Sequence, residues 1–565
     1  MTTAHEFHPQ LHAWMEQDPD QETVAELQAL LEASQAGDAG AHAEITDRFH
    51  TRLSFGTAGL RGAIAAGPNR MNRVVVIQAA AGLARYLLEN APAGQSPSVV
   101  IGFDGRKNSE VFARDTAEIM SGLGISASVM PRMLPTPVLA FSVRELDASA
   151  GVMVTASHNP AADNGYKVYL GGESQGSQIV SPADAQIAAH IDAVASQKKV
   201  SELARGPFSI IDESVIQKYI SQTAHVAGTE GIPASAQPHF VYTAMHGVGY
   251  KTFAAVVARA GFTAPQVVAE QNIPDPLFPT VDFPNPEEPG ALVLSYALAR
   301  EHKAELIVAN DPDADRLAIA IPDEDTSEGY RRLTGNELGA LLGWRTAREL
   351  AHHYTTGTLA CSIVSSPALS AIAEHYGLKF AWTLTGFKWV SRVPELAFGF
   401  EEALGYLVNP GTIRDKDGIS AAVALLSIVS ELKLEGKTLS DHLDEFSMTF
   451  GHFASDQISL RVSDLAEIPR LMSSLRSTTP TVIGGISVAS VDDLLEGHSD
   501  FPPSDVLRFW LEDGSRIMVR PSGTEPKLKV YIDVVAREGE LSERRKDAQN
   551  RLSALAEGMK ELLGL

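Results

Sequence analysis

The pattern of hydrophobic and polar positions changes near Phe55 and then follows one rhythm in three successive blocks. Short apolar runs of strand length alternate with segments whose apolar positions recur roughly every three to four residues, as in helices. The first block predicts a strand over 98–103, a helix over 111–123 and a strand over 151–154. The same order recurs from about 238 to 320 and from about 356 to 430. Strands separated by helices favour α/β units with parallel strands.

Both ends of the chain carry different patterns. Residues 1–48 have apolar positions at helical spacing, with Asp18-Pro19-Asp20 as a capping turn, which predicts a helical N-terminal extension. The C-terminal part alternates apolar and polar positions near 457–462 and 527–535 and ends in a charged helix from about Leu541, which indicates an α+β domain.

We therefore predict three similar α/β domains with mixed sheets and a C-terminal α+β domain, arranged around a central cleft. The expected boundaries are 1–48 for the extension, 49–205, 206–325 and 326–445 for α/β domains I to III, and 446–565 for domain IV.

The composition argues against several classes of function. The chain has 565 residues, 44% hydrophobic and 21% charged, which is typical of a globular protein. Its formal net charge of −24 predicts a surface that repels nucleic acids and anionic lipids. We find no secretory signal and no apolar run of roughly 18 residues, and the single cysteine, Cys361, cannot form an internal disulfide. We therefore expect a cytoplasmic protein with no nucleic-acid or membrane partner.

In each α/β block a buried strand runs into a polar loop. These loops are residues 155–160 (TASHNP), 311–316 (DPDADR) and 401–406 (EEALGY). Ligands bind at the carboxyl ends of strands in open α/β sheets, so we expect the three loops to contribute to one shared cleft.

The second loop places the carboxylates of Asp311, Asp313 and Asp315 directly after a strand. Carboxylates that converge on one point repel unless a hard cation such as Mg²⁺ compensates their charge. An EF-hand is excluded, because Arg316 stands where that loop needs glycine and Pro322 where it needs glutamate. A solvated acidic turn is the alternative, and the preceding strand and Arg316 favour the metal site.

The first loop contains Ser157 among small residues, so its hydroxyl is expected to project from a tight turn. A hydrolase nucleophile of the G-x-S-x-G type fits poorly, because Thr155 and Asn159 occupy the glycine positions. Taken alone, Ser-His-Asn-Pro is more often a capping turn than a catalytic site. His158 alone is likewise more often a structural imidazole.

Residues 520–527 (RPSGTEPK) combine a guanidinium group, two hydroxyls and a glycine. Guanidinium forks and closely approaching backbone N–H groups are common ligands of phosphate. The segment therefore predicts a phosphate site, and the alternative is an exposed hairpin turn.

Four other candidates give weak signals when they are taken singly. Arg61 lies near the end of the glycine-rich segment 55–62, which resembles a flexible turn. Lys167 and Lys388 each follow a possible turn and would then be solvated, as would Glu401 beside Glu402.

Together, and in this order, the segments resemble the α-D-phosphohexomutase superfamily, the phosphoglucomutases and phosphomannomutases, over about residues 50–565. The longer elements and the helical extension are similar to the branch that contains the phosphoglucomutase-2-like enzymes and bacterial phospho-sugar mutases. The segments that carry this second resemblance are 55–62 (FGTAGLRG), 245–249 (MHGVG), 383–389 (TLTGFKW) and 414–418 (RDKDG).

The resemblance implies roles for individual residues. Ser157 matches the serine that is phosphorylated in the active enzyme, and it holds Mg²⁺ together with Asp311, Asp313 and Asp315. The catalytic positions near the transferring phosphate are Ser157, His158, Lys167 and Arg61. The positions that bind substrate are Arg316, Lys388, Glu401, Arg520, Ser522, Gly523 and Thr524.

The resemblance also implies an activity, the interconversion of hexose 1-phosphate and hexose 6-phosphate through a hexose 1,6-bisphosphate. Glucose is favoured and mannose is expected as well, with Mg²⁺ as cofactor and glucose 1,6-bisphosphate as activator. Sugar phosphates are the expected partners of a monomer or homodimer. Ala403 stands where the family has a sugar-contacting serine, which leaves the hexose specificity open. The alternatives are a preference for mannose or pentose phosphates, synthesis of glucose 1,6-bisphosphate, and an idle sugar-phosphate sensor.

Overall fold

The computed structural model describes residues 8–57, 59–228, 232–462, 464, 466–498, 501–521 and 527–564. The α-helices are α1 (His8–Gln17), α2 (Gln21–Gln35), α3 (Ala39–His50), α4 (Arg73–Asn90), α5 (Ser109–Gly122), α6 (Thr136–Glu145), α7 (Ala183–Gln197), α8 (Glu213–Ala224), α9 (Gly249–Arg259), α10 (Val293–His302), α11 (Gly335–His352), α12 (Ala368–Tyr376), α13 (Phe387–Val390), α14 (Gly418–Leu434), α15 (Leu439–Phe450), α16 (Glu467–Ser477) and α17 (Leu541–Leu563).

The strands are β1 (Leu60–Ala63), β2 (Ser98–Phe103), β3 (Ser126–Val129), β4 (Ala150–Val154), β5 (Asp163–Leu170), β6 (Ser177–Gln178), β7 (Ser209–Ile210), β8 (Phe240–Thr243), β9 (Gln266–Val267), β10 (Leu306–Asn310), β11 (Leu317–Pro322), β12 (Tyr330–Arg332), β13 (Thr358–Ser362), β14 (Lys379–Thr383), β15 (Leu396–Glu401), β16 (Gly405–Leu407), β17 (His452–Arg461), β18 (Val482–Ile483), β19 (Ile486–Asp493), β20 (Leu507–Leu511), β21 (Arg516–Pro521) and β22 (Lys527–Ala536).

The chain forms two compact units. The first comprises Met1–Leu333 and Gly405–Ser430, and the second comprises Thr334–Leu404 and Glu431–Leu565. Within the described ranges, no helix is long and apolar enough to cross a membrane.

The first sheet of the first unit has the strand order β1-β5-β4-β2-β3-β7, with β6 beside β5. Strands β2, β3, β4 and β7 are parallel, whereas β5 runs antiparallel to β4 and to β1. The strand predicted over 98–103 is confirmed as β2, and the helix predicted over 111–123 begins two residues earlier, as α5. Leu11, Trp14, Leu27 and Ile45 of the N-terminal helices lie in the same core as α4, α5 and α7, so these helices complete this domain's hydrophobic core.

The second sheet of this unit has the order β12-β11-β10-β8-β9. Strands β8, β9 and β10 are parallel, and β11 and β12 are added antiparallel. In both sheets a fully buried parallel strand, β4 or β10, ends directly before a predicted site loop.

The second unit contains a sheet with the parallel order β14-β13-β15 and an antiparallel sheet with the order β17-β22-β21-β20-β19-β18. Helix α17 begins at Leu541, as predicted, where Glu540 and Glu543 form a capping box. Helices α16 and α17 cover the antiparallel sheet. The predicted class of three α/β domains and a C-terminal α+β domain is confirmed.

Gly82 lets helix α4 pack against α7 at very short range. A Cβ at this position would lie 2.4 Å from Ile191 Cγ1 and 2.7 Å from Ile191 N. We predict that Gly82→Ala lowers the free energy of unfolding by about 1–3 kcal/mol, because this overpacking outweighs the better helix propensity of alanine. At Gly411 an added Cβ meets no atom within 4 Å, so Gly411→Ala should change stability by less than about 0.5 kcal/mol. Urea denaturation measures both variants, and equal effects would contradict the packing argument.

Candidate functional site

The acidic loop after β10 brings three carboxylates together inside the protein. One oxygen of each of Asp311, Asp313 and Asp315 lies within 4.8 Å of the others, and all three residues are fully buried. Among the described residues, Oδ1 of Asp313 and Oδ1 of Asp315 have no hydrogen-bond partner. Burial, and then the neighbouring carboxylates, raise the pKa of Asp311 well above its ordinary value. Buried carboxylate oxygens with free lone pairs fit a hard divalent cation such as Mg²⁺.

Two lysines compensate part of this negative charge. Lys167 Nζ on β5 donates to Asp313 Oδ2 at 2.7 Å and to Asp315 Oδ2 at 2.9 Å. Lys416 Nζ lies 3.2 Å from Asp315 Oδ2. Burial favours the neutral amine of Lys167, but the two carboxylates outweigh burial and raise its pKa. A role for Lys167 as general base would require a lowered pKa, and here the opposite holds.

Ser157 contacts the acidic loop through its hydroxyl group. Its Oγ donates to Asp311 Oδ2 at 2.9 Å and lies 3.2 Å from His158 Nδ1. The residue is 3% exposed and has a φ of 53°, a left-handed conformation that costs a serine on the order of 1 kcal/mol. Thr155 Oγ1 accepts a hydrogen bond from the Ser157 N–H at 2.9 Å and holds this turn.

His158 and two arginines complete this group of side chains. Burial lowers the pKa of His158 well below its ordinary value, and the positive charges of Arg316 and Arg61 lower it further. Arg61 Nη1 donates to Asn159 Oδ1 at 3.1 Å, and the backbone N–H of Arg316 donates to Asp311 Oδ1 at 3.0 Å. The first unit thus brings together all the residues that the sequence predicts around the transferring phosphate.

Two glycines allow the backbone to pack against the acidic loop. A Cβ at Gly247 would lie 2.3 Å from Pro312 Cα, and the N–H of Val248 donates to Pro312 O at 2.8 Å. A Cβ at Gly418 would lie 2.2 Å from Arg316 O. The segments 245–249 and 414–418 therefore support the loop that carries the carboxylates.

Sequence reasoning assigned no role to three residues of this site. Thr136 donates from Oγ1 to Asp313 Oδ2 at 2.5 Å and from its backbone N–H to Asp313 O at 2.9 Å, and no sequence signal marks it. Lys416 lies in the RDKDG segment, which the resemblance quotes without giving it a role. Arg106 lies in the charged loop after β2. A polar loop at the end of a buried strand is a sequence signal that could have identified it.

In the second unit, Glu401 and Lys388 both lie next to Gly386. The N–H of Gly386 donates to Glu401 Oε1 at 2.6 Å. Lys388 Cε lies 3.2 Å from the position that a Cβ on Gly386 would occupy. A carboxylate and an ammonium group beside one turn are groups that can bind the hydroxyls of a small polar ligand.

Arg520 lies near the end of β21 and is half-buried. Its Nε donates to the carbonyl of Pro521 at 3.3 Å. Ser522, Gly523 and Thr524 lie outside the described residues.

The sequence matches one protein family in four consecutive segments. The family descriptions are phosphoglucomutase/phosphomannomutase alpha/beta/alpha domain I for residues 52–198, domain II for 217–324, domain III for 334–450 and C-terminal domain for 458–548.

Three curated relatives carry different names. The chain is 52% identical over 494 residues to a probable phosphomannomutase of Haemophilus influenzae, which covers 87% of this chain and 98% of the relative. It is 34% identical to a phosphopentomutase of Pongo abelii, and the match covers 96% of this chain and 94% of the relative. It is 32% identical to a glucose 1,6-bisphosphate synthase of Mus musculus, and the match covers 93% of this chain and 90% of the relative.

A solved structure shares the fold. The crystal structure of a putative phosphomannomutase from Thermus thermophilus covers 91% of this chain and 100% of its own, with a TM-score of 0.66 and 22% sequence identity.

The acidic loop predicts a measurable affinity for Mg²⁺. Asp313→Asn removes one anionic charge from the cluster and should weaken Mg²⁺ binding by more than about tenfold, because the affinity of such sites follows the number of charged ligands. The matched control is Asp325→Asn, an exposed aspartate of the same unit, which should bind Mg²⁺ as the unsubstituted protein does. Isothermal titration calorimetry at fixed pH measures all three proteins. Equal affinities for both variants would contradict a metal site in this loop.

Proposed function

The chain belongs to the phosphoglucomutase/phosphomannomutase family, and we propose that it interconverts hexose 1-phosphates and hexose 6-phosphates through a phosphoserine at Ser157. Members of this family are mutases, enzymes of the isomerase class that move a phosphoryl group within one sugar. The observation that carries the proposal is the contact between Ser157 Oγ and Asp311 Oδ2 at 2.9 Å, inside a cluster of acidic and basic side chains.

The proposed reaction has two transfers. In the first, the phosphoryl group leaves Ser157 Oγ for the free hydroxyl oxygen of a hexose 1-phosphate, while that hydroxyl gives up its proton and Oγ regains one. The product is a hexose 1,6-bisphosphate, which then turns around. In the second transfer its other phosphoryl group passes to Ser157, and the hexose 6-phosphate leaves.

The residues around Ser157 suit a transfer in which charge spreads over the phosphoryl oxygens. Mg²⁺ held by Ser157, Asp311, Asp313 and Asp315 would supply Lewis-acid stabilisation of that charge. Lys167 adds a fixed positive charge from the protein itself.

Three further side chains have proposed roles around the substrate. Arg61 and Arg316 hold phosphoryl oxygens with their guanidinium groups. His158, whose pKa is lowered, is the group placed to move the proton between the sugar hydroxyl and Ser157, whereas Lys167, whose pKa is raised, keeps its proton.

The remaining substrate-binding roles are proposed from the family motifs. We assign the sugar hydroxyls to Glu401 and Lys388. Arg520, with Ser522, Gly523 and Thr524, holds the phosphate that does not react, and it must accept either the 1-phosphate or the 6-phosphate. Glucose 1,6-bisphosphate acts as activator in this scheme, because it can phosphorylate Ser157 again after the intermediate escapes.

We propose glucose and mannose phosphates as the substrates. Support for mannose comes from the name of the relative with 52% identity. Glucose and mannose differ only at C2, so strong discrimination requires a polar group dedicated to that hydroxyl. Near Glu401, the hydroxyls of Ser362 and Ser365 donate to Glu402 Oε2 at 3.1 and 3.0 Å, and Ala403 offers no hydroxyl at all.

A preference for pentose phosphates is the second candidate, since relatives named phosphopentomutase are 34% identical over nearly the whole chain. Synthesis of glucose 1,6-bisphosphate is a third candidate, which the name of a relative with 32% identity supports. Retention of Ser157 and the three aspartates argues against an idle sensor.

We further propose that the enzyme works in the cytoplasm as a monomer or homodimer, with small sugar phosphates as its partners. The single cysteine, Cys361, is buried and unpaired, which suits a reducing compartment.

The phosphoserine can be tested directly. We predict that the purified protein carries a phosphate on Ser157, and that Ser157→Ala reduces turnover of glucose 1-phosphate by at least about 10⁴-fold, because the transfer then has no acceptor. Phosphopeptide mapping and a coupled assay with Mg²⁺ and glucose 1,6-bisphosphate measure both effects. Thermal unfolding serves as the control that the variant still folds. A phosphate located only elsewhere, together with a fully active alanine variant, would refute the proposed mechanism.

The choice of sugar yields a second prediction. We expect the kcat/KM values for glucose 1-phosphate and mannose 1-phosphate to lie within roughly a hundredfold of each other, because among the described residues Ser362 and Ser365 both donate to Glu402 and Ala403 has no hydroxyl to read C2. Ribose 1-phosphate is assayed in parallel at the same Mg²⁺ and activator concentrations. A preference above about 10⁴ between the hexoses would show a dedicated C2 contact, and a larger kcat/KM for ribose 1-phosphate would favour the pentose alternative.

A further inference from the structure

Arg106 binds the backbone of residues 157–163, the serine loop, at four points. Nη2 donates to the carbonyl oxygens of Ser157 and Asn159, both at 2.6 Å. Nη1 donates to the carbonyl oxygens of Pro160 at 2.8 Å and Asp163 at 3.2 Å. The side chain is almost completely buried, so each of these bonds is shielded from water.

The guanidinium group is itself held on two sides. Asp104 Oδ2 lies 3.3 Å from Arg106 Nε, and Asp104 Oδ1 accepts from the Arg106 backbone N–H at 3.0 Å and from Ser109 Oγ at 2.7 Å. The ring of Phe278 lies against the guanidinium plane, with its centroid 5.0 Å from Cζ. A group fixed in this way can define the positions of the atoms it binds.

This support matters because Ser157 has an unfavourable backbone conformation. Its φ of 53° persists only where the surroundings enforce it. The carbonyl of Ser157 itself is one of the four acceptors, so Arg106 restrains the peptide next to the reacting oxygen. A lysine at this position would keep the charge, but its single ammonium group cannot span four carbonyls as a planar fork does.

We propose that Arg106 is a positioning residue for phosphoryl transfer, which fixes the backbone of residues 157–163 and so keeps Ser157 Oγ against the acidic loop. This inference rests on the proposed function. Arg106 acts through the backbone of the serine loop and makes no direct hydrogen bond to Ser157 Oγ or to the carboxylates of the acidic loop. Its loss should therefore slow the transfer more than it weakens substrate binding.

The test compares Arg106→Lys with two matched arginine variants. Arg114→Lys changes an exposed arginine on α5 that pairs with Glu110. Arg48→Lys changes a buried arginine of α3 that binds Glu44 of the same helix and the carbonyl of Ala66 after β1. The first control shows the effect of replacing an exposed arginine on α5, and the second shows the effect of replacing a buried arginine.

We expect Arg106→Lys to lower kcat by about 10- to 100-fold while KM for the sugar 1-phosphate stays within about threefold, because a small misplacement of the reacting atoms costs that much. Amide hydrogen exchange in a peptide covering 155–164 should become at least about tenfold faster. Both controls should keep kcat within about twofold. Asp104→Asn, which keeps the shape of the support and removes the ion pair, should lower kcat by about three- to tenfold.

The proposal is overturned if Arg106→Lys keeps kcat within threefold, if KM changes as much as kcat, or if exchange in the loop is unaltered. If Arg106→Lys fails to fold, Asp104→Asn decides by the same criteria, and an unchanged kcat and exchange rate then refute the proposal. If the unsubstituted protein turns over none of the tested sugar phosphates, the proposed function has failed. Hydrogen exchange, which needs no turnover, then supports or refutes the hold of Arg106 on the loop by itself.

Discussion

Three buried carboxylates within 4.8 Å of one another repel strongly, and much of the first unit is arranged to compensate that repulsion. Lys167 and Lys416 supply positive charge from two different parts of the chain, one from a strand and one from the loop before α14. Neither lysine uses the Oδ1 atoms of Asp313 and Asp315, which remain without a hydrogen-bond partner among the described residues. These two oxygens could bind a metal ion, and a divalent cation fits both the negative charge and the lone pairs.

The same cluster lies against Ser157, the proposed nucleophile. Ser157 reaches Asp311 from a loop that takes a left-handed turn, and Arg106 and Thr155 hold that turn. The proposed metal ligands and the proposed nucleophile follow the ends of β10 and β4, which are parallel strands of two different sheets. The ends of these strands are rigid. The surrounding hydrogen bonds offset the backbone strain at Ser157. The ends of strands in two α/β sheets thus provide a precise place for a chemistry that depends on positioning.

Part of this arrangement could be read from the sequence and part could not. Buried strands that run into polar loops identified 155–160 and 311–316, because apolar runs and the residues after them are local features. The contact between Ser157 and Asp311 joins residues 154 positions apart, so no periodicity contains it, and only the ordered set of motifs pointed to it. Thr136 has no local signal, and the role of Gly247 depends on the backbone of Pro312, which only the folded chain brings near.

The central claim is that the phosphoryl group passes through Ser157. The most direct measurement incubates the protein and Mg²⁺ with glucose 1,6-bisphosphate labelled with phosphorus-32 on both phosphates, removes the sugar, and then adds unlabelled glucose 1-phosphate. The account predicts that Ser157 becomes labelled and that the label then moves into the sugar phosphates as the protein loses it. Isomerisation of glucose 1-phosphate by a protein that never carries the label would contradict the account.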